Sequence, residues 1–175
     1  MDPEREIREQ KRMGGIMQAL AWLVFLALGL YFFGDLLEGQ RNPNREVVTR
    51  HTSDGLREVV LERNRFGHYV TSGTINGQAV TFLLDTGATG VAVPADVARR
   101  LGLRGGQAYI TETANGRATS YAVTLDSVAV GDVELRDVAA GIVPGLRMDE
   151  VLLGMSFLKH IEFSQRGDTL VLRQY

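Results

Sequence analysis

The chain has 175 residues, 45% hydrophobic and 23% charged, with 20 Gly, four Pro and no Cys. That length allows one ordinary domain with an appendage, and the composition is globular, which sets aside disordered, collagen-like and coiled-coil chains. A formal charge of -2 leaves no basic excess for a nucleic-acid backbone, and the lack of Cys removes disulfides, zinc–thiolate sites and thiol nucleophiles without fixing a redox compartment.

After a charged tail over residues 1–13, Gly14 to Phe33 reads GGIMQALAWLVFLALGLYFF, without a charge and with Gln18 as its one strongly polar side chain. As a helix this stretch is about 30 Å long, which matches a bilayer core. Tyr31, Phe32 and Phe33 suit the far interface. A cleaved signal peptide has a shorter apolar run and an A-x-A-like site after it, and neither holds here. A buried soluble helix fits less well than lipid a segment apolar on all faces. Residues 14–33 therefore read as a transmembrane helix. Arg5, Arg8, Lys11 and Arg12 precede it, against Arg41 and Arg45 after it, which puts the tail in the cytoplasm and the C-terminal part across the membrane.

Residues 34–57, GDLLEGQRNPNREVVTRHTSDGLR, read as a polar linker. From Glu58 the pattern changes to short β runs. REVVLERN and GHYVTSGTI are rich in β-branched and aromatic residues, and Asn76-Gly77 is a strong hairpin signal before QAVTFLL. Val91 to Val93 is a short apolar run, and PADVARRL, with Pro94 at its start and Gly102 after it, is a short helix. Gln107–Thr113 and Arg117–Val130 form a second hairpin about Asn115-Gly116; Val133–Val138, Ala140–Val143 and Val151–Leu153 are further strands. Met155–His160 is one or two helical turns, and Ile161–Ser164 with Thr169–Arg173 is a final hairpin about Arg166-Gly167-Asp168. Many short strands with frequent turns and one or two short helices predict a mainly β barrel or sandwich.

The chemistry concentrates at Phe82-Leu83-Leu84-Asp85-Thr86-Gly87-Ala88-Thr89-Gly90. An ionisable Asp directly follows a run that should be a buried strand, where a carboxylate is costly unless paired or hydrogen-bonded. Gly87 and Gly90 let the backbone turn and approach other groups. The bland alternative makes Asp85 an Asx-turn residue at a strand end. D-T-G alone is a weak motif, but Leu152-Leu153-Gly154 lies downstream, followed by Met155-Ser156-Phe157-Leu158, with the Asn115-Gly116 hairpin in between.

That series, over about residues 58–175 and including GHYVTSGTINGQAVTFLLDTGAT, TANG and LLGMSFL, resembles the retropepsin-like aspartic proteases, in particular their bacterial single-pass membrane-anchored branch. The resemblance implies one lobe of an acid-protease barrel per chain and an aspartic endopeptidase without cofactor or metal. It implies a bacterial inner-membrane location with residues 58–175 in the periplasm, acting on protein or peptide substrates. Two carboxylates sharing one proton can activate water and protonate a carbonyl. The chain carries one D-T-G, and Ser53-Asp54-Gly55 lacks a preceding apolar strand, so the second acid must come from Asp85 of another copy in a homodimer. By the same resemblance Thr86 ties the two loops together, Gly87 and Ala88 offer close approach and backbone contact to substrate, Ala114, Asn115 and Gly116 tip a flap, and Leu153 and Gly154 pack under the active loop. Tyr109 and Tyr121 both qualify as a flap tyrosine. A non-catalytic dimeric peptide-binding module on the same fold is the alternative function.

Other candidates carry less. Gly154-Met155-Ser156-Phe157-Leu158 has Leu where a serine-hydrolase elbow needs Gly. His51, His68 and His160 are scattered and no H-E-x-x-H exists, so no metal site is expected. His68 is expected in or beside a strand, and His160 at the C-terminal end of the short helix. Arg99, Arg100 and Arg104 suit a solvated face, and Asp149-Glu150 are expected to be exposed before their strand.

Overall fold

A computed structural model describes residues 3–113 and 116–175. The chain divides into two units, residues 1–39 and 40–175. The first is most of helix α1 (Pro3–Arg41), whose stretch Met13–Arg41 is long and apolar enough to cross a membrane, with its large apolar side chains exposed.

The second unit is mostly β. A four-stranded antiparallel sheet has the order β1-β2-β11-β10, from β1 (Thr49–His51), β2 (Arg57–Glu62), β10 (Glu162–Arg166) and β11 (Thr169–Gln174). A seven-stranded sheet has the order β3-β4-β9-β5-β8-β7-β6, from β3 (Val70–Ile75), β4 (Gln78–Leu84), β5 (Val91–Pro94), β6 (Ala108–Thr113), β7 (Gly116–Val130), β8 (Val133–Val143) and β9 (Val151–Leu153). Thr74 and Ile75 of β3 also pair with Ala129 and Val128 of β7. That pairing closes six of the strands into a barrel and leaves β6 projecting with the first half of β7. Closure needs β3 to approach closely: a Cβ on Gly73 would lie 2.3 Å from the Ala129 carbonyl oxygen and 2.7 Å from the Phe82 ring. Helix α2 (Ala95–Arg100) and the single turn α3 (Met155–Leu158) cap the barrel.

The elements form for the reasons their residues suggest. Val59 and Leu61 alternate inward on β2, as do Val80 and Phe82 on β4. Their side chains join Ile75, Val93, Leu125, Leu153, Phe157 and Leu172 in one core. Asn76 and Gly77 both take positive φ, 51° and 75°, as the two-residue turn between β3 and β4 requires. The helix expected from Pro94 to Leu101 runs from Ala95 to Arg100, with Pro94 as the last residue of β5 and the N-cap of α2. The two strands expected at Val133–Val138 and Ala140–Val143 are one, because β7 stays paired along both.

The stretch read as a linker behaves differently. Helix α1 runs on to Arg41, β1 adds an edge strand, and residues 40–57 belong to the compact unit. The reason lies in two asparagines. Asn44 is buried; its Nδ2 donates to the carbonyls of Glu62 (2.9 Å) and Val70 (2.7 Å), and its Oδ1 accepts the Glu62 N–H (2.7 Å). Its carbonyl accepts the Ser72 N–H at 3.0 Å, so one residue joins β2 to β3. Asn42 Oδ1 accepts the Asn44 N–H at 3.0 Å and fixes the bend. Polar composition here marks backbone recognition, which looks like a linker to any hydropathy argument. Glu150 is a second correction: Asp149 is exposed, but Glu150 is buried in an ion pair with Arg41, at 2.6 Å (Nε–Oε1) and 3.0 Å (Nη2–Oε2). Burial of that carboxylate is tolerated because the guanidinium meets it with two hydrogen bonds.

Asn44→Ala removes the side-chain partner of three backbone groups on Glu62 and Val70, and we expect a loss of about 2–4 kcal/mol. A chemical denaturation curve would show it as a lowered midpoint with the slope unchanged.

Candidate active site

The site is built at the end of β4. Parallel pairing places Leu84 beside Leu153 of β9, while Ala92 of β5 pairs with Leu152 on the other side of β9. The chain leaving β4 must therefore cross the end of β9 to enter β5, and residues 85–90 are that crossing. Two strand spacings make it about 9.6 Å wide.

Hydrogen bonds fix its path. The Asp85 N–H donates to the Leu153 carbonyl at 3.2 Å, the Ala88 N–H donates back to the Asp85 carbonyl at 3.2 Å, and the Met155 N–H donates to the Ala88 carbonyl at 2.8 Å. Asp85 Oδ1 accepts the Gly87 N–H at 2.9 Å, which orients the carboxylate over its own loop. Asp85 is half-buried, and Thr86 and Gly87 at the crest are exposed. The loop lies directly on Gly154: a Cβ there would sit 2.3 Å from the Gly90 carbonyl oxygen and 2.6 Å from that of Ala88. No other residue type leaves room for the crossing.

The structure thus brings Asp85, Thr86, Gly87, Ala88, Leu153 and Gly154 into one hydrogen-bonded unit. The expected flap tip falls elsewhere, on the β6–β7 hairpin. Thr113 pairs with Gly116 at its end, and Ala114 and Asn115 lie outside the described residues. Of the two tyrosines, Tyr109 reaches from β6 to the backbone of β8, where a Cβ on Gly141 would meet its hydroxyl, and Tyr121 packs on Gly105. His68 lies just before β3 and is exposed; His160 follows Lys159, the C-cap of α3. Among the described residues no group of three or more His, Asp or Glu side chains is gathered as a metal site.

Ser156, considered in the sequence only as a failed nucleophile, supports the site. Its hydroxyl accepts the Val91 N–H (2.9 Å) and donates to the Ala139 carbonyl (2.8 Å). It therefore ties the exit of the active loop to β8. A hydroxyl residue two places after Gly154, in the first turn of a helix, was the available signal. The Arg41–Glu150 pair, at the residue before β9, was not legible from spacing at all.

A family model described as gag-polyprotein putative aspartyl protease matches residues 71–160. An uncharacterized Sinorhizobium protein from the cobV 5′ region is 35% identical over 181 residues, 95% of this chain and 77% of that protein. The uncharacterized protein RP867 of Rickettsia prowazekii is 31% identical over 121 residues, 66% of this chain and 51% of that protein. Among solved structures, a retropepsin-like aspartic protease from Rickettsia conorii matches with a TM-score of 0.55 and 28% identity, over 73% of this chain and 94% of that one.

Two substitutions probe the crossing. Gly154→Ala forces backbone apart and should cost about 3 kcal/mol or more, with faster hydrogen exchange at the Asp85 and Met155 amides. Ser156→Ala strands one N–H and one carbonyl and should cost about 1–3 kcal/mol.

Proposed function

Because the chain belongs to the retropepsin-like aspartic protease family, we propose that it is a membrane-anchored aspartic endopeptidase in which the Asp85 carboxylates of two chains hold the water that attacks a peptide bond. The observation that carries this reading is Asp85 itself. It is an acid oriented by a backbone N–H on a loop held to β9, with an exposed crest at Thr86 and Gly87. The bond from the Gly87 N–H to Asp85 Oδ1 is itself an Asx turn at the end of β4, and in this reading the turn is what orients the carboxylate.

The chemistry follows from the shared proton. Two like charges about 3 Å apart repel strongly, so a pair of carboxylates at that distance shares one proton. The ionised member takes a proton from water as its oxygen attacks the carbonyl carbon. The protonated member gives its proton to the carbonyl oxygen, and a gem-diol forms. In the collapse of the diol one hydroxyl returns its proton to the ionised member as the product carbonyl forms, the amine leaves with the proton of the other member, and the pair again holds one proton. Thr86 of each chain joins the two loops, Gly87 and Ala88 meet the substrate backbone, the hairpin tip at Ala114, Asn115 and Gly116 closes over the substrate and excludes water, and Leu153 and Gly154 support the loop. Residues 14–33 span the bacterial inner membrane, the tail 1–13 is cytoplasmic, and the protease domain, 58–175 with the supporting segment from residue 40, faces the periplasm.

The test is the full-length chain against Asp85→Asn on an unbiased peptide library. We expect the substitution to lower kcat by about 1000-fold or more. Equal cleavage by both proteins rejects the assignment. Peptide binding by both without cleavage by either supports the non-catalytic module.

A further inference from the structure

The turn before β3 carries a hollow whose residues take no part in the chemistry at Asp85. In residues 64–67 the Gly67 N–H donates to the Asn64 carbonyl at 3.0 Å. The buried Asn64 side chain holds the turn from inside: its Oδ1 accepts the N–H groups of Phe66 and His68, each at 2.9 Å. Arg63 Nε donates to the Gly67 carbonyl at 3.0 Å, and Arg63 Nη1 meets Asp168 Oδ1 at 3.2 Å. The outer face fixed in this way is an open hollow of about 430 Å³, lined by Arg63, Asn64, Arg65, Gly67 and Asp168. Its lining sets two guanidiniums against one carboxylate. Phe66 stands beside it, 60% exposed, with the Arg65 guanidinium 4.8 Å from its ring centre. Guanidiniums meet a phosphate with paired N–H donors, and an aromatic ring is at home among the headgroups of a bilayer.

The turn is tied to the end of the apolar helix. Asn64 Nδ2 donates to the Arg41 carbonyl at 2.9 Å, and Arg65 Nη1 donates to Gln40 Oε1. The Phe66 ring is thus one guanidinium away from the Gln40 side chain. Gln40 and Arg41 are the last residues of α1, and with the turn they belong to the compact unit of residues 40–175. Gln40 is seven residues past Phe33, where the uncharged stretch ends. At the rise of an α-helix that is about 10 Å, little more than the headgroup layer on one side of a bilayer core. Chain length therefore keeps a surface bonded to Gln40 and Arg41 close to the headgroups.

We propose that the turn over residues 64–67 docks on the phospholipid surface around the anchor, with lipid phosphate held at Arg63 and Arg65 and Phe66 inserted among the headgroups. The proposal rests on the reading of residues 14–33 as a transmembrane helix and is independent of the paired aspartates. A span alone keeps the compact unit near the bilayer. A second hold decides which face it turns to the lipid.

The full-length chain has one tryptophan, Trp22, inside the uncharged stretch. The experiment reconstitutes the chain in vesicles of phosphatidylethanolamine and phosphatidylglycerol, with and without brominated acyl chains, and reads tryptophan quenching. Wild type reports on the span. Phe66→Trp with Trp22→Phe reports on the turn, and Tyr121→Trp with Trp22→Phe reports on an exposed aromatic of β7. Brominated lipid should quench Trp22 strongly, position 66 by about half and position 121 hardly at all. Arg65→Gln in the position-66 reporter should lower the ratio of docked to undocked turn about fivefold, and Arg65→Lys should recover most of it. Unchanged thermal unfolding curves confirm that the variants keep their fold. Trp22 left unquenched overturns the span, and the docking surface with it. Trp22 quenched, with position 66 quenched no more than position 121, overturns the docking surface alone. Position 66 shielded from both brominated lipid and aqueous acrylamide overturns it in favour of a protein contact, such as a second copy. Quenching lost on adding inorganic phosphate at constant ionic strength overturns it in favour of a soluble anion. Peptide cleavage enters none of these readings, so failure of the protease assignment would leave them standing.

Discussion

The crossing of one backbone segment over the end of another governs this molecule. β9 lies between β4 and β5, so the loop that joins them must pass over Gly154, with carbonyls where a Cβ would be. Steric exclusion at that atom does what no single hydrogen bond does: it sets how low the loop can lie. The bonds from Asp85 to Leu153 and from Met155 to Ala88 then hold the loop in place once it is there. The orientation of the carboxylate, the exposed crest and the tie through Ser156 all follow from that contact.

Beside its apolar core the fold also holds a few buried polar groups. Glu150, at the foot of β9, is met by Arg41, Asn44 binds backbone of β2 and β3, and Asn64 binds the Arg41 carbonyl and two N–H groups of its own turn. Such groups add little net stability when satisfied and cost much when a partner is removed, so they enforce one arrangement over its near alternatives. Arg173 plays the same part on the outer sheet. Its guanidinium donates hydrogen bonds to the carboxylates of Glu58 and Glu162, which hold it above its ordinary pKa. It is charged at any physiological pH in either case, so the pair orients β2, β11 and β10 and does not act as a pH switch.

The barrel strands and the active loop were legible because their signals are local. Period-two burial in REVVLE and QAVTFLL, the Asn76-Gly77 turn and Pro94 before α2 each act within a few residues. Asp85 and Gly154 stood out together because an acid on a glycine loop and an apolar–apolar–glycine strand share one geometric problem. Arg41, Asn44 and Glu150 did not stand out. Their partners lie 109 residues away for Arg41 and 18 and 26 away for the Asn44 amide, and nothing in an Asn-Pro-Asn run distinguishes a clamp from a spacer. The single strand β8 was divided in the sequence reading because hydrophobic alternation lapses near Asp137, where φ is 53° although the ladder with β7 continues on both sides.

The clasp at Asn44 has a consequence for how such a chain could ever be shed. A cut anywhere between residues 45 and 51 would remove the side chain that stitches β2 to β3, so a released form has to be trimmed upstream of Arg41 to remain whole. Helix α1 ends at Arg41, three residues before Asn44.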